Sequence, residues 1–136
     1  ETLRVGINAG HPDTRYAEMP SFDGALSRDE IRLVAGYVQS LSGIGPGTAP
    51  DQLAEGETLF MDNCAACHGE AGTGSTDMGA PNLTDDFWIY GGDVGTIFKT
   101  VLHGRAGWMP SWEGRLDLAD RKILAAYLED LKGQVP

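Results

Sequence analysis

Cys64-Ala65-Ala66-Cys67-His68 is the stretch that decides how this 136-residue chain is interpreted. The spacing C-x-x-C-H is the attachment motif of a c-type haem. On a helix the two thiols lie about one turn apart, so both can form thioether bonds to the vinyl groups of one porphyrin. The adjacent imidazole can then bind the iron as its proximal ligand. We therefore predict one covalent haem c on Cys64 and Cys67, with His68 on the iron.

Two other uses of paired cysteines fit the sequence less well. A thioredoxin-like C-x-x-C belongs to a strand–helix context in a βαβ unit, and the surrounding sequence has no such pattern. A structural zinc site takes four ligands. The chain has two cysteines and three scattered histidines, which do not form an obvious ligand set.

Composition and charge limit the classes of function. The chain is 41% hydrophobic and 22% charged with 19 glycines, which is typical of one ordinary domain or two very small ones with long loops. The net charge is −10. Residues 1–45 hold four basic and six acidic residues, a net charge of −2, which leaves −8 for the remainder. This acidity argues against nucleic-acid binding and favours basic protein partners.

The chain has no apolar run near the roughly 18 residues of a membrane span, and no signal-peptide pattern. Haem attachment to C-x-x-C-H normally takes place outside the cytoplasm. We therefore expect that a signal or membrane anchor has been removed and that a soluble piece remains.

The chain repeats itself at a displacement of 90 residues. Met19-Pro20-Ser21-Phe22 falls on Met109-Pro110-Ser111-Trp112, and before Met19 the register breaks, which indicates a small insertion. Over residues 19–43, nine of 25 positions are identical: Met19, Pro20, Ser21, Gly24, Leu26, Ala35, Tyr37, Leu41 and Gly43.

Each repeat ends in a helix with clear signals at its two ends. In the first, Ser27 and Glu30 form a capping box and Gly43 is the expected stop. In the second, Asp117 caps the helix and Gly133 stops it. Apolar stripes at helical spacing follow each cap: Ile31, Val34, Tyr37, Val38 and Leu41 in the first, and Ile123, Leu124, Tyr127, Leu128 and Leu131 in the second.

Only the second repeat has a front half. Asp51 is predicted to cap a helix that runs to about Cys67, and a glycine-rich loop follows from Gly69 to about Pro81. A further helix is expected from about Asp93 to His103. We therefore predict three parts: the back half of a haem domain that lacks its haem motif (1–45), a linker (46–50) and a complete mono-haem domain (51–136).

The sixth iron ligand is predicted to be Met109. It lies 41 residues after His68 and precedes a proline, which helps hold a non-helical loop. A thioether opposite histidine raises the reduction potential. The alternatives are a core role for Met109 and ligation by His103 or Met78, whereas Met61 is expected in the core.

The first repeat raises two further expectations. Met19 matches the position of Met109 and should be unligated unless a neighbouring molecule supplies iron. The apolar stripe that begins at Ile31 needs cover, so we expect residues 1–45 to pack on the intact domain or on a second copy, which gives a possible homodimer. His11 is expected to be a solvated loop residue.

Several side chains are candidates for supporting the haem. Pro81 can offer its carbonyl to the proximal imidazole, and Arg105 can bind a propionate or remain a surface residue. Trp88 and Tyr90, with Trp108 and Trp112, can wall the haem or belong to the core.

Helix packing gives one more expectation. Gly56 and Phe60, four residues apart on one helix, are expected to pack against Tyr127, where the glycine permits a close helix approach.

Five short motifs carry a family resemblance: residues 63–69, 79–85 and 88–92, with Gly104-Arg105 and Met109-Pro110. They resemble the dihaem cytochrome c subunit (subunit III, FixP/CcoP type) of cbb-type, C-family haem–copper oxidases. Residues 6–43 are similar to the end of that subunit's first haem domain. The resemblance implies an all-α, class I cytochrome c fold preceded by the C-terminal half of a second such domain. It implies His68 and Met109 as axial ligands, and Met19 as the distal ligand of the first haem. The first C-x-x-C-H and the membrane helix of that family are not in this sequence.

The resemblance implies a one-electron carrier rather than an enzyme in its own right. Its partners would be other oxidase subunits and a cytochrome donor, and its place would be the periplasmic face of the inner membrane. The alternatives are a stand-alone soluble cytochrome c, a haem-based ligand-binding or sensor protein with a labile sixth ligand, and a non-haem interaction module.

Overall fold

The regular structure of this chain is almost entirely helical. The computed structural model describes residues 1–43 and 48–132. Two short antiparallel strands, β1 (Glu18–Met19) and β2 (Arg105–Ala106), pair Glu18 with Ala106 and Met19 with Arg105. The helices are α1 (Thr2–Val5), α2 (Arg28–Leu41), α3 (Pro50–Asn63), α4 (Ala65–His68), α5 (Val94–His103) and α6 (Leu118–Lys132). The predicted all-α class is confirmed, with one minimal sheet added.

Local capping chemistry explains where α2, α5 and α6 begin. The Ser27 hydroxyl accepts from the Glu30 amide at 3.2 Å, and the Glu30 carboxylate accepts from the Ser27 amide at 2.8 Å. The bond from the Ser27 amide, with a smaller contribution from the Ser27 side chain, lowers the pKa of Glu30. Asp93 caps α5 through the Thr96 amide at 3.0 Å, and α6 follows Asp117, which accepts from the Asp120 amide at 2.8 Å.

The remaining helix boundaries include one correction. Asp51 does not cap α3, because the helix begins at Pro50 and Ala49 is its N-cap. Proline suits the first helical position, where its missing N–H has no intrahelical partner to lose. Gly43 follows the end of α2 with a φ of 68°, as a helix stop requires. The predicted stop at Gly133 lies outside the described residues, as does part of the predicted linker.

The chain forms two compact units. One takes in residues 18–106, and the other takes in residues 1–17 together with the described residues from 107 onward. The sequence repeat and the packing therefore divide the chain at different places. The back half of the first repeat, which holds β1 and α2, packs with the front half of the second, which holds α3, α4 and α5. The two back halves carry similar apolar stripes, and in this structure the first of them packs on that front half.

The core of the 18–106 unit lies where α2 meets α3 and α5. Its buried side chains include Ile31, Val34 and Val38 of α2, Phe60 of α3 and Ile97 of α5. The apolar stripe of α2 is covered within this unit. It therefore does not need a second copy of the chain to bury it.

Gly56 sets the approach of α2 to α3. A Cβ on Gly56 would lie 2.4 Å from the Leu33 carbonyl oxygen and 2.9 Å from the Tyr37 Cβ. The Tyr37 ring packs against Phe60 with centroids 5.4 Å apart. The expectation that Tyr127 packs here was wrong: Tyr37, its counterpart in the repeat, takes the place, and Tyr127 is 58% exposed.

The other unit is organised around residues 4–7 and 109–113. Ile7 and Met109 exchange both backbone hydrogen bonds, at 2.9 and 3.0 Å. Arg4 forms ion pairs with Glu1, Asp13 and Glu113. The expectation that His11 is a solvated loop residue was wrong. Its Nε2 lies 3.1 Å from a carboxylate oxygen of Glu113.

Gly56→Ala should lower the free energy of unfolding by about 1–3 kcal/mol, because the new methyl would meet the α2 backbone. The control is Glu55→Ala at the exposed neighbouring position, where we expect a change within about 0.5 kcal/mol. Chemical denaturation of both variants measures the difference, and equal stability would contradict a close α2–α3 contact at Gly56.

Candidate functional site

Cys64 and Cys67 lie at the junction of two helices. α3 ends at Asn63 and α4 begins at Ala65, so Cys64 stands between them. The amides of Cys67 and His68 both bond to the Cys64 carbonyl, at 3.1 and 3.0 Å, which closes the turn that carries the motif. The predicted single helix to Cys67 is thus broken at Cys64.

Both thiols are free, and burial disfavours the thiolate form of Cys64. Cys64 is buried and Cys67 half-buried. Burial, with a smaller contribution from Cys67, raises the pKa of the Cys64 thiol to about 11. Redox-active C-x-x-C sites depend on a lowered thiol pKa. The site therefore lacks the electrostatics of a dithiol oxidoreductase.

The imidazole ring of His68 is held by a hydrogen bond to a backbone carbonyl. The ring is buried, and its Nδ1 lies 3.2 Å from the Pro81 carbonyl oxygen. A carbonyl can only accept, so Nδ1 carries the proton and Nε2 keeps its lone pair. Burial lowers the pKa of His68, although the bond to Pro81 partly opposes this shift. The result is a neutral imidazole with Nε2 available to a metal.

Gly74 allows Pro81 to reach the histidine. Its φ is 80°, and a Cβ there would lie 2.6 Å from the Pro81 carbonyl carbon and 2.7 Å from the Ala80 carbonyl oxygen. The Gly74 amide also bonds to the His68 carbonyl at 2.8 Å. Sequence reasoning missed Gly74 as a supporting residue, and its only signal was the abundance of glycine between Gly69 and Pro81.

Arg105 is fixed by two neighbours in the same unit. Its guanidinium lies 4.0 Å above the centroid of the Tyr90 ring. Its Nε and Nη2 donate to the Thr100 hydroxyl at 3.2 and 2.9 Å. Two of the candidate haem-supporting residues, Arg105 and Tyr90, are therefore in contact.

Trp88 has a donor without an acceptor. Its indole packs on Gly92, where a Cβ would approach to 2.8 Å. Gln39 of α2 donates to the Gly92 carbonyl at 2.9 Å and holds this turn. Among the described residues, the indole Nε1 of Trp88 is a buried side-chain nitrogen for which no hydrogen-bond partner is found. A buried N–H of this kind is costly unless a bound group accepts from it.

The methionines and the remaining histidine are distributed unevenly. Met109 belongs to the unit of residues 1–17 and 107 onward, whereas Met19 belongs to the unit that holds His68. Met78 is 53% exposed, and Met61 is 41% exposed rather than in the core as expected. The core position predicted for Met61 was wrong, because its side chain lies at the surface in contact with solvent. His103 is exposed at the end of α5.

Trp108 and Trp112 both lie in the unit of residues 1–17 and 107 onward, and Trp108 is 68% exposed. No helix within the described ranges combines the length and apolar character needed to cross a bilayer.

Comparison with known proteins gives consistent results. The family described as cytochrome C oxidase, cbb3-type, subunit III matches residues 51–128. Subunit FixP of a cbb3-type cytochrome c oxidase from Bradyrhizobium diazoefficiens is 47% identical over 98% of this chain and 46% of its own length. Subunit CcoP from Cereibacter sphaeroides is 50% identical over 97% of this chain and 46% of its own length.

FixP from Azorhizobium caulinodans is 43% identical over 98% of this chain and 45% of its own length. The chain thus spans about half the length of these curated relatives. The family match covers more than half of the chain and agrees with the resemblance drawn from the motifs. The chain therefore belongs to the subunit III family of cbb3-type cytochrome c oxidases.

Proposed function

We propose that this chain transfers single electrons through one covalently bound haem c, on behalf of a cbb3-type oxidase. The observation that carries the proposal is the state of His68: a buried, neutral imidazole with Nδ1 on the Pro81 carbonyl and Nε2 free, directly after two free thiols. Family membership supports the same assignment. A haem supplies iron that cycles between the ferrous and ferric states.

The residues of the site fit a haem group. Cys64 and Cys67 would hold the porphyrin, and His68 would bind the iron from one side. Arg105, already oriented by Thr100 and Tyr90, offers positive charge to a propionate. The unpaired indole N–H of Trp88 is a second donor that a propionate oxygen would satisfy. Gly74 and Pro81 orient the imidazole without touching the iron.

The sixth ligand that the sequence favours is Met109. The support is its Met-Pro pairing, its position 41 residues after His68 and the resemblance to the family. If His68 and Met109 both held the iron, it would have no position for a substrate. That arrangement suits electron transfer and disfavours a ligand-binding or sensor role.

The partners we propose are other oxidase subunits and a cytochrome donor on the periplasmic side. The relatives are named as oxidase subunits. The net charge of −10 supports a donor with a basic contact surface, because opposite charges speed productive encounters.

The mature protein should weigh one haem more than its amino acids, and the extra mass should survive denaturation. Cys64→Ala with Cys67→Ala should abolish covalent attachment. Ala66→Ser, between the two thiols, should keep it. Intact mass and pyridine-haemochrome absorbance measure both, and mature wild-type protein with no added mass would overturn the haem assignment.

The oxidised protein should show the weak far-red charge-transfer band that a thioether on ferric haem iron produces. Replacing Met19 and Met109 together by alanine should abolish the band. Met78→Ala, which removes an exposed thioether, should leave it unchanged. Persistence of the band in the double variant would contradict a ligand from either Met-Pro segment.

Trp88→Phe should lower the reduction potential, because loss of the indole donor leaves negative charge on a propionate less compensated and so favours ferric iron. Trp112→Phe, from the other unit, is the matched control and should leave the potential close to that of the wild type. Redox titration of the two variants tests this role, which an unchanged potential in Trp88→Phe would exclude.

A further inference from the structure

The loop of residues 85–92 presents large apolar side chains to solvent. Phe87 is 69% exposed and Ile89 is 75% exposed. Trp88 between them is half-buried, and its indole nitrogen is inside the protein. A single exposed apolar residue needs no explanation. Two large ones on either side of an inward-facing tryptophan form a patch of the kind that contacts a partner.

Hydrogen bonds and a ring contact within the 18–106 unit hold this loop in place. The Asp85 carboxylate accepts from the Phe87 amide at 3.1 Å. The Arg105 guanidinium lies 4.0 Å from the centroid of the Tyr90 ring. The hydrogen bond to the Gly92 carbonyl, described above, fixes the end of the loop. A surface that is already ordered loses little conformational entropy when a partner binds.

The stretch of sequence around this loop is strongly acidic. From residue 33 to residue 98 the chain has nine acidic residues and no lysine or arginine. The same stretch contains the C-x-x-C-H motif. All nine acidic side chains are exposed: Asp51, Glu55, Glu57, Asp62, Glu70, Asp77, Asp85, Asp86 and Asp93. Two of them, Asp85 and Asp86, directly precede Phe87.

This combination of charge and apolar area selects one kind of partner. Anionic lipid and nucleic acid are polyanions, which the carboxylates of Asp85 and Asp86 would repel. A protein surface with lysine or arginine around an apolar centre would match both features of the loop. The partner that fits is therefore a basic protein.

The position of Trp88 links this surface to the proposed cofactor. The indole N–H of Trp88 is the donor assigned above to a haem propionate. Phe87 and Ile89 flank that residue and face solvent. Electron transfer between proteins requires their cofactors to come close, so a docking surface that adjoins the haem has a use that a remote one lacks.

We propose that Asp85, Asp86, Phe87 and Ile89 form the docking surface for a basic electron-donor protein that carries its own haem. We call these four side chains the donor face. One electron passes from the donor's ferrous iron to the ferric iron of this chain, and no bond forms or breaks. The carboxylates speed the encounter and the apolar side chains hold the complex together. This inference rests on the proposed function.

Stopped-flow reduction of the ferric, haem-loaded full chain tests the proposal. The probe is the reduced cytochrome c of mitochondria, a small basic haem protein. The measured quantity is the second-order rate constant at low ionic strength. For the wild type it should fall steeply as salt is added, because salt screens the attraction between opposite charges.

Phe87→Ala with Ile89→Ala should lower this rate constant about tenfold, because apolar side chains at the centre of an interface contribute most of its stability. The matched control is Tyr16→Ala with Ile123→Ala. It removes an aromatic ring and an isoleucine of similar exposure, 70% and 66%, from the other unit. The control should leave the rate constant close to that of the wild type.

Asp85→Asn with Asp86→Asn tests the charge while keeping the loop, because an amide oxygen at position 85 can still accept from the Phe87 amide. The rate constant should fall about three- to tenfold at low ionic strength and approach the wild-type value at high salt. Asp51→Asn with Glu55→Gln removes the same charge from exposed positions of α3 and should have a smaller effect. Equal losses in the two charge variants would contradict a local donor face.

The remaining outcomes separate this proposal from the proposed function. An unchanged rate constant in Phe87→Ala with Ile89→Ala would overturn donor docking and leave the face to another protein, such as a further oxidase subunit, with the proposed function intact. A rate constant that falls only in proportion to a lowered reduction potential, titrated alongside, would also overturn it. Wild-type protein that matures without haem would overturn both.

Discussion

The close approach of α2 to α3 at Gly56 is the constraint on which the haem-binding unit depends. No side chain larger than hydrogen fits between this position and the α2 backbone. The approach brings Tyr37 onto Phe60 and buries Val34, Ala35 and Val38. It also places Gln39 on the Gly92 carbonyl, which holds the turn against which Trp88 packs. The packing around the site therefore depends on the crossing of α2 and α3, which lies outside the C-x-x-C-H motif.

The motif itself contributes chemistry that the surrounding chain adjusts. Burial holds the pKa of the Cys64 thiol high and that of His68 low, so the thiol is protonated and the imidazole is neutral near pH 7. The Pro81 carbonyl selects the tautomer, and Gly74 permits the loop to bring that carbonyl close. The two thiols and the carbonyl that orients His68 thus come from different stretches of sequence, as expected if His68 is a metal ligand with its own orienting group.

Features that depend on neighbours in sequence could be read before the fold was known. The Ser27–Glu30 capping box, the Asp93 and Asp117 caps and the Gly43 stop each involve atoms a few residues apart, and C-x-x-C-H is itself local. Which helix covers Gly56 could not be read, because Tyr37 and Tyr127 occupy the same position of the repeat. The partner of His11 is 102 residues away, and no periodic pattern indicates an ion pair at that separation. At the start of α3 the sequence offers both Pro50 and Asp51, and the helix begins at Pro50.

The proposed function requires that protein side chains close the haem iron on both sides, as in an electron carrier. Low-temperature electron paramagnetic resonance of the ferric, haem-loaded protein measures this directly. The account predicts a purely low-spin ferric signal, from an imidazole on one side and a thioether on the other. A dominant high-spin signal would show an open axial position and would contradict the account in favour of a ligand-binding haem protein.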